Sequence, residues 1–176
     1  MESHTLELYP DRGQVHIALF RNVTNAADLR KRLIAQDSTL SCALVEASVV
    51  IDTFHVLLAV IRAVHDEQHN RLKSHNINSE IVIDFSPATN IAQALRRFGI
   101  SDESQNILVV KVGGDASEVE NYMRENIKGD LVSLSQLSET LDLKLLAKYY
   151  SLGEQGKSVE TALPLVASSM ALKGYN

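Results

Sequence analysis

With 176 residues, 45% of them hydrophobic, the chain has enough apolar material for one core of ordinary size and not for two. Its 22 acidic and 17 basic side chains leave a formal net charge of -5, which disfavours stand-alone binding of a polyanion. The single cysteine, Cys42, excludes an internal disulfide and a thiolate-cluster zinc site. It fits a reducing compartment and reads as core filler. The start, Met1-Glu2-Ser3-His4, is polar, and no apolar run approaches the roughly 20 residues needed to cross a bilayer, so nucleus or cytoplasm is expected and no membrane contact.

In chain order, Thr5 to Tyr9 and Gln14 to Phe20 are extended runs around Pro10-Asp11-Arg12-Gly13, in which proline presets a turn and glycine accepts a positive φ. This predicts a β-hairpin. From Asn25 a first helix carries Leu29, Leu33 and Ile34 at helical spacing. Ala43 to Val50 is apolar but interrupted. Asp52 or Thr53 then caps a longer helix with Phe54, Val56, Leu57, Val60, Ala63 and Val64, ending near His69 and apolar enough to be the central buried helix. Asn70 to Asn78 reads as a loop. Ser79 to Phe85 reads as a strand, Ser86-Pro87 as a turn, and Ile91 to Phe98 as a short helix with Ile91, Ala94, Leu95 and Phe98 on one face and Gly99 as its stop.

Ile107 to Val112 has the β-branched composition of a strand buried on both faces. A helix is expected from about Ser117 to Ile127, with Gly129 closing it, then a short strand at Leu131 to Leu134. Helices follow at about Gln136 to Leu141, Leu143 to Leu152 and Val159 to Leu172, the last containing Pro164. No repeat or low-complexity tract is present. The fold class predicted is α/β (α+β), one domain over residues 1 to 176, a mixed sheet with helices packed on both faces.

Catalytic chemistry is poorly supported. Gly113-Gly114-Asp115 lacks the Gly-Lys-Ser/Thr of a phosphate loop and the third glycine of a dinucleotide fingerprint, so it reads as a plain strand-to-helix turn. His65 and His69 have the i, i+4 spacing that can hold a metal on one helix face. However, Asp66 stands where the zinc-protease helix needs glutamate, the order implies no third donor, and the pair reads as a solvated helix end. There is no Gly-x-Ser-x-Gly elbow. No catalytic residue, metal ligand or cofactor is assigned. Ser86-Pro87-Ala88-Thr89-Asn90 opens a helix whose free N–H groups suit ordinary capping or, in a sharper reading, a small anion site near Arg71, Lys73, Arg96 and Arg97. A small-molecule-binding or enzymatic α/β domain using that helix start, or the Gly113-Gly114 turn, is the alternative function.

The order Ser79 to Ser101, a hydrophobic run, Ser-Pro, Asn90-Ile91, Ala94-Leu95 and Phe98-Gly99-Ile100, resembles the signature of the kinase-binding small subunit of the KEOPS/EKC complex, the TPRKB-like family. Asn25 to Arg30, Asp52 to Val64 and Leu145 to Leu152 are similar to that family's first helix, buried helix and late Tyr-x-Leu segment, so the likeness covers most of the chain. Ala88-Thr89-Asn90 departs from the Asn-Asn-Asn of eukaryotic relatives. The resemblance implies a non-catalytic subunit that binds the small atypical kinase and, through it, the other KEOPS subunits. It would thereby support threonylcarbamoylation of tRNA adenosine, with tRNA bound weakly or only within the complex. Phe98, Ile100, Tyr149, Tyr150 and Leu152, a crowd of large residues near helix ends, are the expected kinase interface. Ser86, Asn90, Ile91, Arg96 and Arg97 are the expected contact with the tRNA acceptor end.

Overall fold

The two most continuous β-branched runs become the centre of a sheet. The structure is a computed structural model describing residues 1–175. In it, strand β2 (Gln14–Arg21) lies antiparallel to β4 (Ile107–Val112), from Val15 opposite Val112 to Phe20 opposite Ile107. Strand β3 (Ala43–Glu46) pairs the far side of β4. β1 (Glu2–Thr5) and β5 (Asp130–Val132) share the other edge of β2. Every pairing is antiparallel, which corrects the expected mixed sheet: each crossover returns the chain in the opposite direction.

Both faces of this sheet are covered, which is why its strands read as nearly unbroken apolar runs. Val15, Ile17, Leu19, Val45, Leu108 and Val110 face one core. Ala18, Phe20, Leu44, Ile107 and Val109 face the other. Helices α1 (Ala26–Ile34) and α5 (Ala116–Asn126) close the second face through Leu29, Val119 and Met123. The first face carries α2 (Thr53–Gln68), α3 (Ile77–Asp84) and α4 (Ile91–Phe98). It also carries the short α6 (Leu137–Thr140), then α7 (Leu143–Tyr149) and α8 (Val159–Ala171). The fold is α+β. No helix among the described residues is long and apolar enough to cross a membrane.

The segment expected as a strand, Ser79 to Phe85, is the body of α3. The Asn76 side chain caps it by accepting the Ser79 N–H, and Glu80 sits in its first turn. Glu80 to Asp84 are all buried, so the helix is enclosed on nearly every side and shows no polar stripe. A β-branched run without periodicity is what a strand also looks like. Other differences are at ends. The first strand is Glu2–Thr5 rather than Thr5 to Tyr9, and the helix expected to end at Leu152 stops at Tyr149, while Pro164 lies within α8 as expected. Gly129 does not close α5 with a positive φ; a Cβ there would stand 2.8 Å from the Arg21 carbonyl oxygen.

Burial of α3 brings charges inside. Glu80 Oε2 accepts from the backbone N–H groups of Lys73 and Ser74 and from the Ser74 hydroxyl, at 3.1, 2.9 and 2.6 Å. Asp84 faces Lys173 at 3.6 Å and Arg62 at 3.7 Å, while the Lys173 ammonium donates to the Ile83 carbonyl at 2.7 Å. Arg62 donates to the carbonyls of Met170 and Lys173, so the end of the chain is tied to α2 and α3. Asp66, Glu80 and Asp84 bring carboxylate oxygens within 4.8 Å of one another. Burial, with Glu80 nearby, pushes the Asp84 carboxyl up to about 7 against the pull of Lys173 and Arg62.

Because Asp84 holds its proton more tightly folded than unfolded, its contribution to stability is fully present below about pH 4 and is lost as pH rises towards 7. Asp84→Asn should therefore flatten this part of the stability profile. Between pH 4 and 7 the wild type should lose on the order of 2–4 kcal/mol relative to the variant, measured by urea unfolding at each pH. Parallel profiles for the two proteins would show that Asp84 titrates normally.

Candidate functional site

The segment from Phe85 to Ile100 is positioned by a chain of buried polar groups. His55, fully buried on α2, accepts the Ile51 N–H at Nδ1, 3.2 Å, which puts its proton on Nε2. Nε2 lies 3.1 Å from the Tyr150 hydroxyl, and that hydroxyl donates to the Phe85 carbonyl at the end of α3. Burial brings the His55 pKa down to about 3 and raises that of Tyr150, so both stay neutral. Beyond Phe85, the buried Ser86 hydroxyl accepts the Ala88 N–H at 3.1 Å. The exposed Asn90 caps α4 by accepting the Gln93 N–H at 2.9 Å.

Helix α4 is short and two-sided. Ala94 and Phe98 point inward, and Phe98 is surrounded by Phe85, Tyr149 and Tyr150 at ring separations of 6.3, 5.7 and 5.7 Å. Ile91 and Leu95, expected on the same inner face, are 36% and 41% exposed. Gly99 ends the helix because nothing larger fits: an added Cβ would stand 2.4 Å from the Leu95 carbonyl oxygen.

The expected kinase-interface residues are mostly interior. Phe98, Ile100 and Tyr150 are buried, while Tyr149 and Leu152 are half-buried against the same core. Phe98, Tyr149, Tyr150 and Leu152 share one core, and Ile100 belongs to the other, on the opposite side of the sheet. The expected RNA-end residues divide as well. Ser86 is buried, Asn90 and Ile91 stand at the start of α4, and Arg96 and Arg97 sit in its last turn, roughly 8 Å along the axis. The Arg97 guanidinium lies 4.9 Å from the Tyr149 ring centroid, and Arg71 pairs with Asp66 at 3.4 Å.

The surface that does gather apolar groups is a groove of about 1090 Å³. Its floor includes Cys42, Leu44, Val82 and Ile100. Leu33 and Ile34 of α1 stand on one wall and Leu95 of α4 on the other, with Arg96 at the rim. Leu33, Ile34 and Leu95 are 39%, 68% and 41% exposed. Sequence reasoning assigned all three to inner faces. The signal that separates them is the cluster of cations Arg30, Lys31 and Arg32 directly before Leu33, which marks the last turn of α1 as a solvent-facing end.

Residues 20–174 match the family described as kinase binding protein CGI-121. The chain belongs to the CGI-121 family. Among curated relatives it is 37% identical to the EKC/KEOPS complex subunit cgi121 of Aspergillus fumigatus, covering 99% of this chain and 97% of that one. It is 34% identical to the subunit of the same name from Schizosaccharomyces pombe, over 97% and 99% of the two chains. To the EKC/KEOPS complex subunit TPRKB of Danio rerio it is 33% identical, over 96% and 95%. The match begins at residue 20, within β2, and runs to residue 174, so both walls of the groove and the buried His55 to Phe85 chain lie inside it.

Tyr150→Phe keeps the ring packing and removes the hydroxyl. It leaves the Phe85 carbonyl and the His55 Nε2 proton without partners in a dry interior. Loss of about 1–3 kcal/mol is expected in equilibrium urea unfolding. A variant as stable as the wild type would show that the hydroxyl does not organise this segment.

Proposed function

We propose that this protein is a non-catalytic accessory subunit of a KEOPS complex. It binds the complex's small atypical kinase, supports threonylcarbamoylation of adenosine in tRNA, and reaches the other subunits through that kinase. The observation that carries this reading is the family match over residues 20–174 to proteins described as kinase binding, joined by near full-length relatives named as EKC/KEOPS subunits. The groove between α1 and α4 supports it physically. Exposed leucine and isoleucine side chains on two rigid walls provide the kind of desolvating anchor that stable interfaces use. We place the kinase there rather than on Phe98, Ile100 and Tyr150, whose side chains are already covered. Binding of tRNA belongs to the assembled complex, because a net charge of -5 gives this chain little attraction for phosphate by itself.

Co-purification with the kinase, followed by titration of the purified pair, tests the reading. Ile34→Glu and Leu95→Glu alter exposed side chains, so both variants should fold. Each should weaken the complex by at least about tenfold, since it places a charge in the desolvated centre of the contact. Tyr149→Glu, outside the groove, should weaken it less. If wild-type protein fails to bind the kinase at micromolar concentration, the function is wrong. If it binds and only the Tyr149 variant loses affinity, the function stands and the groove is not the interface.

A further inference from the structure

The last turn of α2 carries a feature unconnected with the groove. His65 and His69 stand one turn apart with ring centroids 4.3 Å from each other. Each ring has its Nδ1 tied to an oxygen. His69 Nδ1 donates to the His65 carbonyl at 2.8 Å, and His65 Nδ1 lies 2.6 Å from the Tyr9 hydroxyl. Neither Nε2 has a protein partner among the described residues. A carbonyl can only accept, so His69 carries its proton on Nδ1 and keeps a lone pair on Nε2, which is how metal-binding histidines are commonly oriented; the Tyr9 hydroxyl can accept from the same tautomer of His65. His69 is exposed and His65 half-buried, so the pair is open to solvent.

The spacing also indicates the kind of ion. A nitrogen ligand at about 2.0–2.1 Å puts the imidazole centroid about 3.2 Å from the metal, so two centroids 4.3 Å apart subtend about 85° at a shared ion. That is the angle between neighbouring positions of a square-planar or octahedral centre and well short of the tetrahedral angle preferred by zinc. A cation here would also sit at the C-terminal end of a 16-residue helix, where the helix dipole favours positive charge. Among the described residues, no third histidine, cysteine or carboxylate closes on the pair, so the remaining positions would be filled by water.

We propose that His65 and His69 form a bidentate site for a divalent ion of tetragonal or octahedral preference, nickel(II) or copper(II), with Tyr9 as a positioning residue that orients His65. An ion held there ties together successive turns at the end of α2. Through Tyr9, it also holds the connection between β1 and β2 against that helix.

The test is calorimetric titration of the full-length, tag-free protein with nickel chloride, repeated with the variants His65→Ala, His69→Ala, His75→Ala and Tyr9→Phe. The wild type should take up one ion per chain. His69→Ala and His65→Ala should each weaken binding at least tenfold, Tyr9→Phe should weaken it less, and His75→Ala should leave it unchanged. Copper(II) bound to the wild type should show hyperfine splitting from two nitrogens in its electron paramagnetic resonance spectrum, reduced to one in His69→Ala. Because His69 is exposed, that variant should fold as the wild type does, which circular dichroism checks. Absence of binding up to millimolar nickel, or equal affinity in the wild type and His69→Ala, would overturn the proposal.

Discussion

The hydrogen-bond chain from Ile51 through His55 and Tyr150 to Phe85 is the constraint on which the rest of this face depends. Its direction is fixed link by link. A backbone N–H can only donate, so His55 Nδ1 must accept and Nε2 must carry the proton; a backbone carbonyl can only accept, so Tyr150 must donate to Phe85. A reversed or ionised arrangement would leave a buried group unpaired, and burial enforces the neutral forms of both side chains. The chain joins α2, the end of α3 and the segment after α7, with Tyr150 reaching across 95 residues to His55 and 65 to Phe85. It ends at one of the carbonyls that a helix terminus leaves free. The Ser86 turn begins one residue later and leads into α4 at Ile91, so the wall of the groove carrying Leu95 is hung from this point.

The sheet supplies the other half of the groove. Strand β3 lies at one edge, with β4 on its inner side and only an isolated bridge from Val45 to Gly99 on its outer side. The turn by which α4 ends beside that edge requires the missing side chain of Gly99, because a Cβ there would run into the Leu95 carbonyl of the helix's own last turn. What α4 covers is protected from pairing with another chain. What it leaves uncovered, beside Cys42 and Leu44, forms the apolar floor. The same glycine thus limits the exposed edge and shapes the concavity beside it.

Much of this was legible in the sequence, and the failures share a cause. The strands around Ile17 and Val109, the Asp52 cap of α2 and the Asn90 start of α4 are local signals: runs, capping residues and stops that do not depend on distant parts of the chain. Helix α3 was misread as a strand because burial on nearly all sides erased the periodicity that distinguishes the two. Phe98 and Tyr150 were assigned to a surface because their large side chains near helix ends appeared too many for one core. In fact Tyr150 packs edge-to-face against both Phe98 and His55, and His55 against Phe85, an arrangement that depends on three separate segments meeting. Leu33, Ile34 and Leu95 were misassigned in the opposite sense: helical spacing identifies a face, not whether anything lies against it.

The distribution of charge bears on which partner this surface can hold unaided. Arg71 is engaged by Asp66 and Arg97, in the last turn of α4, is stacked on Tyr149, while at the start of α4 the capping oxygen of Asn90 already satisfies one of the helix's free N–H groups. Lys173 and Arg62 are directed inward to Asp84 and to backbone carbonyls. Of the four cations considered for an RNA end, Arg96 and Lys73 make no ion pair among the described residues. Two phosphate contacts correspond to a shallow salt dependence and weak affinity. An apolar partner meets no such shortage, since Ile34 and Leu95 are exposed on the two walls and gain by being covered. The physical chemistry of this face therefore favours an apolar protein contact over a phosphate contact made by this chain alone.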